Sequence, residues 1–339
     1  MGCDEISADW AAQRIKGLSL GAAVVDGLRR SLGMGRVASG AGAKTLIEFF
    51  RYPRRGPGMM WDAAARNIEQ SGGQLKLGRH VDCVSYDETA KIWTVSATTA
   101  DGLRETYRAR HVLSSAPIRE LVGMLHPPAA SQREAAGLRY RDFLTVVLIG
   151  RSKLELPDNW VYIHDPSVKV GRVQNFKSWS PEMIADGEST CLGLEYFCFE
   201  GDGLWTSPDQ DLIELAKTEI GKIGLMFPSD VNDACVVRQA KAYPVYDSAY
   251  ASHVKAVRQE IASRYPNLHL IGRNGMHKYN NQDHAMMTGL LTALNIVAGR
   301  PVYDVWQVNE DAEYSEQGVS GADVALASER LVPRQVGES

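Results

Sequence analysis

At 339 residues, 44% hydrophobic and 23% charged with a formal net charge of −4, the chain has the composition of an ordinary folded protein and none of the bias of a disordered or fibrous one. The slight acidity leaves no clustered Lys and Arg footprint for nucleic acid or anionic lipid, and the longest apolar run, Phe143 to Ile149, is far short of the roughly 20 residues that a membrane-spanning helix needs. Met1-Gly2-Cys3-Asp4-Glu5 opens no secretory leader, and five cysteines (Cys3, Cys83, Cys191, Cys198, Cys235) without a Cys-x-x-Cys pair fit reduced thiols, so the expectation is a cytoplasmic chain with neither a disulfide nor a metal framework.

Strand and helix signals alternate along the chain with no internal repeat. Trp10, Ala11, Ile15 and Leu18 share one helical face within 8 to 20, Ala22 to Leu32 is helix-like as well, and a Gly-rich loop follows from Gly33 to Gly42. Tyr52-Pro53-Arg54-Arg55-Gly56-Pro57-Gly58 predicts a rigid turn, then a helix with Met60, Ala64 and Ile68 in register that stops at Ser71-Gly72-Gly73. Arg54 and Arg55 either bind an anionic substrate or simply solvate that turn. From Gln74 the period becomes two, giving strands over Leu75 to Tyr86, Lys91 to Thr98 and Thr106 to Leu113 with turns at Asp87-Glu88 and Asp101-Gly102. Phe143 to Ile149 and Leu192 to Phe199 are near-continuous apolar runs, the mark of strands covered on both faces.

Ser207-Pro208-Asp209-Gln210 predicts an N-cap with Pro at the first helical position, followed by Leu212, Ala216, Ile220 and Ile223 on one face. Cys235 to Tyr243 is a further strand, and a helix led by Ser252 carries Val254, Val257 and Ile261 in phase. Residues 267 to 284 then pack a short apolar strand, a turn crowded with Gly, Asn and Asp, and the start of an apolar-faced helix into eighteen positions. Helix N-termini offer unpaired N–H groups and a positive dipole end, so this build suits a phosphate or an electron-rich ring carbonyl. Met287, Leu290, Leu291 and Leu294 form a stripe expected in the core. Beyond Asp311 the periodicity fades into a solvated tail.

The wording of 267 to 288, and that of 49 to 61, resembles the FAD-dependent amine oxidase and protoporphyrinogen oxidase superfamily, and the Gly272-Arg273, Lys278-Tyr279, Asn281 and Asp283 pattern is similar to UDP-galactopyranose mutases. The resemblance implies an α/β fold, an incomplete FAD/NAD(P)-binding Rossmann-like arrangement with an inserted mixed-sheet and helical substrate region. It divides the chain into a helical part of the substrate region (1–48), cofactor-domain parts (49–120 and 241–310) flanking a substrate domain (121–240), and a tail (311–339). It implies FAD as cofactor, a small-molecule substrate, and cofactor contacts at Gly56, Gly58, Val81, Ala116, Gly272, Arg273, Asn280, Asn281, Asp283 and Met287. His277, Tyr243 and Tyr246 are the catalytic candidates. His277 and His284 with Asp283 between them could suggest a metal, but no third imidazole or thiolate sits at ligand spacing, and none is expected.

The family opens with a strand, a Gly-x-Gly-x-x-Gly turn and a helix that holds the pyrophosphate. Here Gly33-Met34-Gly35-Arg36-Val37-Ala38 matches the letters but follows a helix-like segment, and Ala43 stands where a phosphate loop needs Gly before Lys44. The expectation is a chain truncated within the family's sequence. The function implied is that of an FAD-dependent oxidoreductase acting on a small or medium organic substrate; the alternatives are a mutase-like nucleotide-sugar isomerase and an inactive truncated relative.

Overall fold

The computed structural model describes residues 51–152, 154, 156–309, 335 and 336. The readings at 8 to 45 and most of the tail lie outside these residues. The turn at Tyr52–Gly58 closes through the Gly56 N–H donating to the Pro53 carbonyl at 2.9 Å, with Gly56 at φ +87°, a conformation that favours glycine. It leads into α1 (Gly58–Gln70), which ends where Gly72 turns left-handed. The helix is as expected, but its apolar positions Met60 and Ile68 are exposed rather than packed.

Next come β1 (Arg79–Asp87), β2 (Ile92–Thr99) and β3 (Arg104–Ala109). Asp87 shapes the first turn by accepting from the Thr89 and Ala90 amides, and Gly102 at φ +84° shapes the second. Leu75 and Leu77 are exposed loop residues, so β1 begins later than expected. The strand expected at Thr106 to Leu113 is two strands. β3 ends at Ala109, and β4 (Val112–Ser114) pairs in parallel with β11 (Leu268–Leu270), so the chain changes sheets at Arg110-His111.

The remaining elements are α2 (Ile118–Met124), β5 (Leu125–His126), α3 (Gln132–Gly137), β6 (Tyr140–Gly150), β7 (Trp160–Tyr162), β8 (Arg172–Asn175), α4 (Phe176–Trp179), β9 (Thr190–Cys198), α5 (Asp209–Lys222), β10 (Val231–Pro244), α6 (Tyr250–Arg264), α7 (Gly272–Gly275) and α8 (Gln282–Ala298). Two helix starts differ from expectation. Pro208 occupies the N-cap of α5 while the Ser207 hydroxyl donates to the Gly203 carbonyl, and α6 begins at Tyr250, with the Ser252 hydroxyl donating to Ala249.

The described chain divides into two compact units, giving the α/β class expected. One comprises His80–Arg139 and the residues from Pro244 onward; the other comprises Arg51–Arg79 and Tyr140–Tyr243. The first unit holds a sheet in the order β3-β2-β1-β5 and the parallel pair β11-β4. Its core joins Trp93, Ile118, Leu121 and Leu125 to Val257, Ile261 and Tyr265 of α6, and the Trp93 indole donates to the Pro266 carbonyl at 3.2 Å.

The second unit is built on a sheet in the order β10-β6-β9-β8-β7. Leu144, Val146 and Leu148 of β6 and Leu192 and Leu194 of β9 bury one face against Leu212, Ala216 and Ile220 of α5. The apolar run in β6 had suggested cover on both faces. Instead β6 alternates between fully and partly buried residues, because it pairs antiparallel with β9 and its odd positions, Arg141, Phe143, Thr145 and Val147, stand on the other face. Glu219 of α5, itself buried, accepts from the Lys169 and Val170 amides and the Tyr196 hydroxyl, fastening the loop before β8 to the helix. Among the described residues no helix is long and apolar enough to cross a membrane.

Candidate functional site

The strand-turn-helix at 268–298 is bound together by its own polar groups. Gly272 follows β11 at φ +77°, donates its N–H to the Thr288 hydroxyl at 2.8 Å and accepts from the Asn280 side-chain amide at 3.1 Å. Gly275 sits against β4: a Cβ there would overlap the Ser114 carbonyl oxygen and stand 3.1 Å from the Ser115 Cα. The positive φ is what requires glycine at 272, whereas at 275 the requirement is space. Gly275 was not singled out from sequence, since only the fold brings Ser114 beside it.

Asn281 caps α8 in a reciprocal box with His284, whose Nδ1 accepts the Asn281 N–H at 3.3 Å. The N–H groups of Gln282 and Asp283 then stand first in the helix, where no intrahelical acceptor exists. Asn280, 1% exposed, leaves its side-chain oxygen without a hydrogen-bond partner among the described residues. Arg273 closes the turn by donating Nε–H to the Asn280 carbonyl at 2.6 Å, its guanidinium 5.2 Å over the Tyr279 ring. Lys278, 5% exposed, donates to the Trp306 and Val308 carbonyls at 2.6 and 2.7 Å. That anchor was also missed.

The catalytic candidates of this unit are interior posts. His277 is buried at φ +47°, with Nε2 3.2 Å from the Val245 carbonyl oxygen, and burial pushes its pKa down to about 4. At neutral pH it is therefore uncharged and donates that bond. Tyr246 stacks on Tyr250 at 4.2 Å between ring centroids, and its hydroxyl accepts the Tyr279 N–H at 2.8 Å. Tyr243 lies on β10 of the other unit, with its ring 6.1 Å from that of Phe143.

The other expected positions are spread. Val81 lies in β1 and Ala116 just beyond β4, while Gly56 and Gly58 belong to the second unit. Arg54 pairs with Glu182 at 3.5 Å, and Arg55 borders an open cleft of about 550 Å³ with Pro181, Ile184 and Asp186. Met287 is partly buried, but the stripe it heads is not core: Leu291 is buried, whereas Leu290 and Leu294 are 55% and 43% exposed. Among the described residues no group of three or more His, Cys, Asp and Glu could hold a metal ion.

The turn fits a ligand that approaches backbone and brings both an acceptor and a donor. Two helix N–H groups without an intrahelical acceptor suit an acceptor, the Asn280 oxygen without a partner among the described residues suits a donor, and the two glycines keep side chains out of the way. Gly272 itself offers approach rather than a donor, because its N–H is taken by Thr288.

A family model described as flavin containing amine oxidoreductase matches residues 11–297. Among solved structures the chain is similar to a reduced UDP-galactopyranose mutase, at 19% identity and a TM-score of 0.67 over 86% of this chain and 60% of that one. It is also similar to a protein from Exiguobacterium sp. 255-15 assigned as a protoporphyrinogen oxidase, at 18% identity and a TM-score of 0.52 over 65% of this chain and 46% of that one. Identities this low speak for the fold alone. The chain thus spans 60% of the first of these proteins and 46% of the second. No curated protein matches it.

Proposed function

Because the chain belongs to the flavin-containing amine oxidoreductase family, we propose that it is an FAD-dependent oxidoreductase that dehydrogenates a small or medium organic substrate. The observation that carries this reading is the turn from Gly272 to Asp283, where a glycine at φ +77°, a glycine pressed on Ser114 and the open start of α8 come together. FAD, when bound, supplies the two-electron chemistry that protein side chains lack.

The chain's own residues hold and orient. Gln282 and Asp283 present backbone donors and the positive end of the α8 dipole to electron-rich oxygens, which favours added negative charge. Asn280 presents its carbonyl oxygen to a hydroxyl or N–H. Arg273, with Nε fixed on the Asn280 carbonyl, holds its guanidinium in one orientation for an anionic group. Neutral His277 and Tyr246 keep the underside of the turn packed and dry, so they position it and move no proton.

The test is spectroscopic and then chemical. The purified chain, incubated with FAD and desalted, is expected to retain flavin absorbance, and anaerobic substrate is expected to bleach it with recovery on adding an acceptor. No retained flavin would end the proposal. Isomerisation of a nucleotide sugar by the dithionite-reduced protein, with no bleaching by any amine, would replace it with a mutase.

A further inference from the structure

The face of the second unit's sheet that α5 does not cover carries two arginines in opposite circumstances. Arg172 of β8 donates Nε–H to Glu195 at 2.8 Å, lies 2.5 Å from the same carboxylate through Nη2, and is flanked by the Trp160 and Tyr162 rings. Its charge is answered within the fold. Arg141 of β6 lies 5.5 and 5.4 Å over the Phe197 and Phe199 rings, yet none of its nitrogens has a hydrogen-bond or ion-pair partner among the described residues, and Nε is sealed from solvent.

The acids nearest in sequence and space are already committed. Asp142 accepts from the Glu200 and Lys241 amides, and Asp202 accepts from the Phe199 and Trp205 amides at 2.8 Å each. Burial pulls the Arg141 pKa below its usual value, outweighing the opposing fields of Cys198 and Asp202. A guanidinium is never discharged at neutral pH, so a half-buried one that no carboxylate pairs with directly is costly unless something anionic visits it.

We propose that Arg141 anchors the carboxylate of a substrate whose body is flat and apolar, received by Phe143, Phe197, Phe199 and Tyr243. This rests on the oxidoreductase reading for the word substrate, though not for the binding. The register supports the arrangement: Phe143 pairs with Phe197, so both side chains rise beside Arg141 on one face, and the Tyr243 ring lies 6.1 Å from Phe143. A planar fork such as Arg takes a carboxylate through two parallel hydrogen bonds. The Asp202 carboxylate already opposes part of the Arg141 charge, so the residual field suits a monoanion better than a phosphate dianion.

Calorimetric titration of the full chain with benzoate, benzamide and phenyl phosphate tests the assignment. Benzoate is expected to bind about tenfold or more tighter than benzamide, with phenyl phosphate weaker than benzoate. Arg141→Met is expected to abolish the preference for benzoate while leaving the thermal midpoint unchanged or higher, because it removes a half-buried charge that no carboxylate pairs with directly. Arg141→Lys, which keeps a point charge but not the fork, should retain part of the preference, and it stands in if the Met variant does not fold. Equal binding of benzoate and benzamide, or an Arg141→Met variant that keeps the preference, overturns the anchor; tighter phenyl phosphate overturns the carboxylate. Flavin absorbance on the same samples separates the two readings: benzoate binding without flavin leaves the anchor standing and the oxidoreductase reading fallen, whereas a flavin-loaded chain blind to benzoate does the reverse.

Discussion

The Gly272–Asp283 turn and the uncovered face of the five-stranded sheet solve the problem of buried polarity differently. In the turn most polar groups are answered from within the same strand-turn-helix: Gly272 by Thr288 and Asn280, Arg273 by the Asn280 carbonyl, Asn281 by His284. On the sheet face the answers come from other strands or not at all, with Glu195 serving Arg172 and no hydrogen bond or ion pair among the described residues serving Arg141. A site that must hold its shape around a ligand's backbone-facing edge is assembled locally. A site that must discriminate among ligands leaves a charge for the ligand to neutralise.

Breaking the comparison on the sheet side gives the largest effect. Glu195 is 1% exposed and takes hydrogen bonds from Arg172 and Gln174, so Glu195→Ala, which strands both, is expected to cost about 4 kcal/mol in denaturant unfolding. A cost equal to that of Arg141→Met would show that the two arginines do not differ as argued. In the turn, Gly275→Ala is expected to cost about 3 kcal/mol, because the Ser114 carbonyl cannot retreat without unpairing β4 from β11. An unchanged midpoint would mean that the close approach is soft.

These two sites also mark what the sequence can disclose. The turn glycine at 272 and the helices at 58, 209 and 282 were legible, because their causes lie within a turn or two of the residue. Gly275 was visible as a glycine, but its reason, a carbonyl on β4, is set by the β4–β11 pairing. Arg141 gave no signal at all. Its meaning depends on the register that sets Phe143 against Phe197, and no local pattern encodes pairing across that much chain. The division of Thr106 to Leu113 into β3 and β4 was hidden for a similar reason: the alternation continues through Arg110-His111 while the hydrogen-bond partner changes.

Acid sharpens the contrast next. His277 titrates near 4 when folded against 6.5 for the free side chain, so the unfolded chain takes up the proton first. Its contribution is complete above about pH 7, falls as pH drops through 6.5, and levels off below 4, a loss on the order of 3 kcal/mol. His277→Asn, a residue that tolerates the +47° φ, should flatten this slope in a stability profile from pH 7 to 4. A wild-type profile already flat would place His277 in contact with water. Smallest is the cap: Asn281→Ala should cost about 1 kcal/mol by thermal melting, and a neutral result would mean that His284 alone holds the start of α8.

The bond from the Gly272 N–H to the Thr288 hydroxyl has a kinetic counterpart. That hydroxyl in turn donates to the Ala285 carbonyl at 2.7 Å, and Asn280 covers the Gly272 carbonyl from the other side. The Gly272 amide can exchange its hydrogen with solvent only when the first turns of α8 and the loop part together. Its deuterium uptake therefore acts as a clock for opening of the whole turn, and a ligand seated there would slow that clock in proportion to its occupancy.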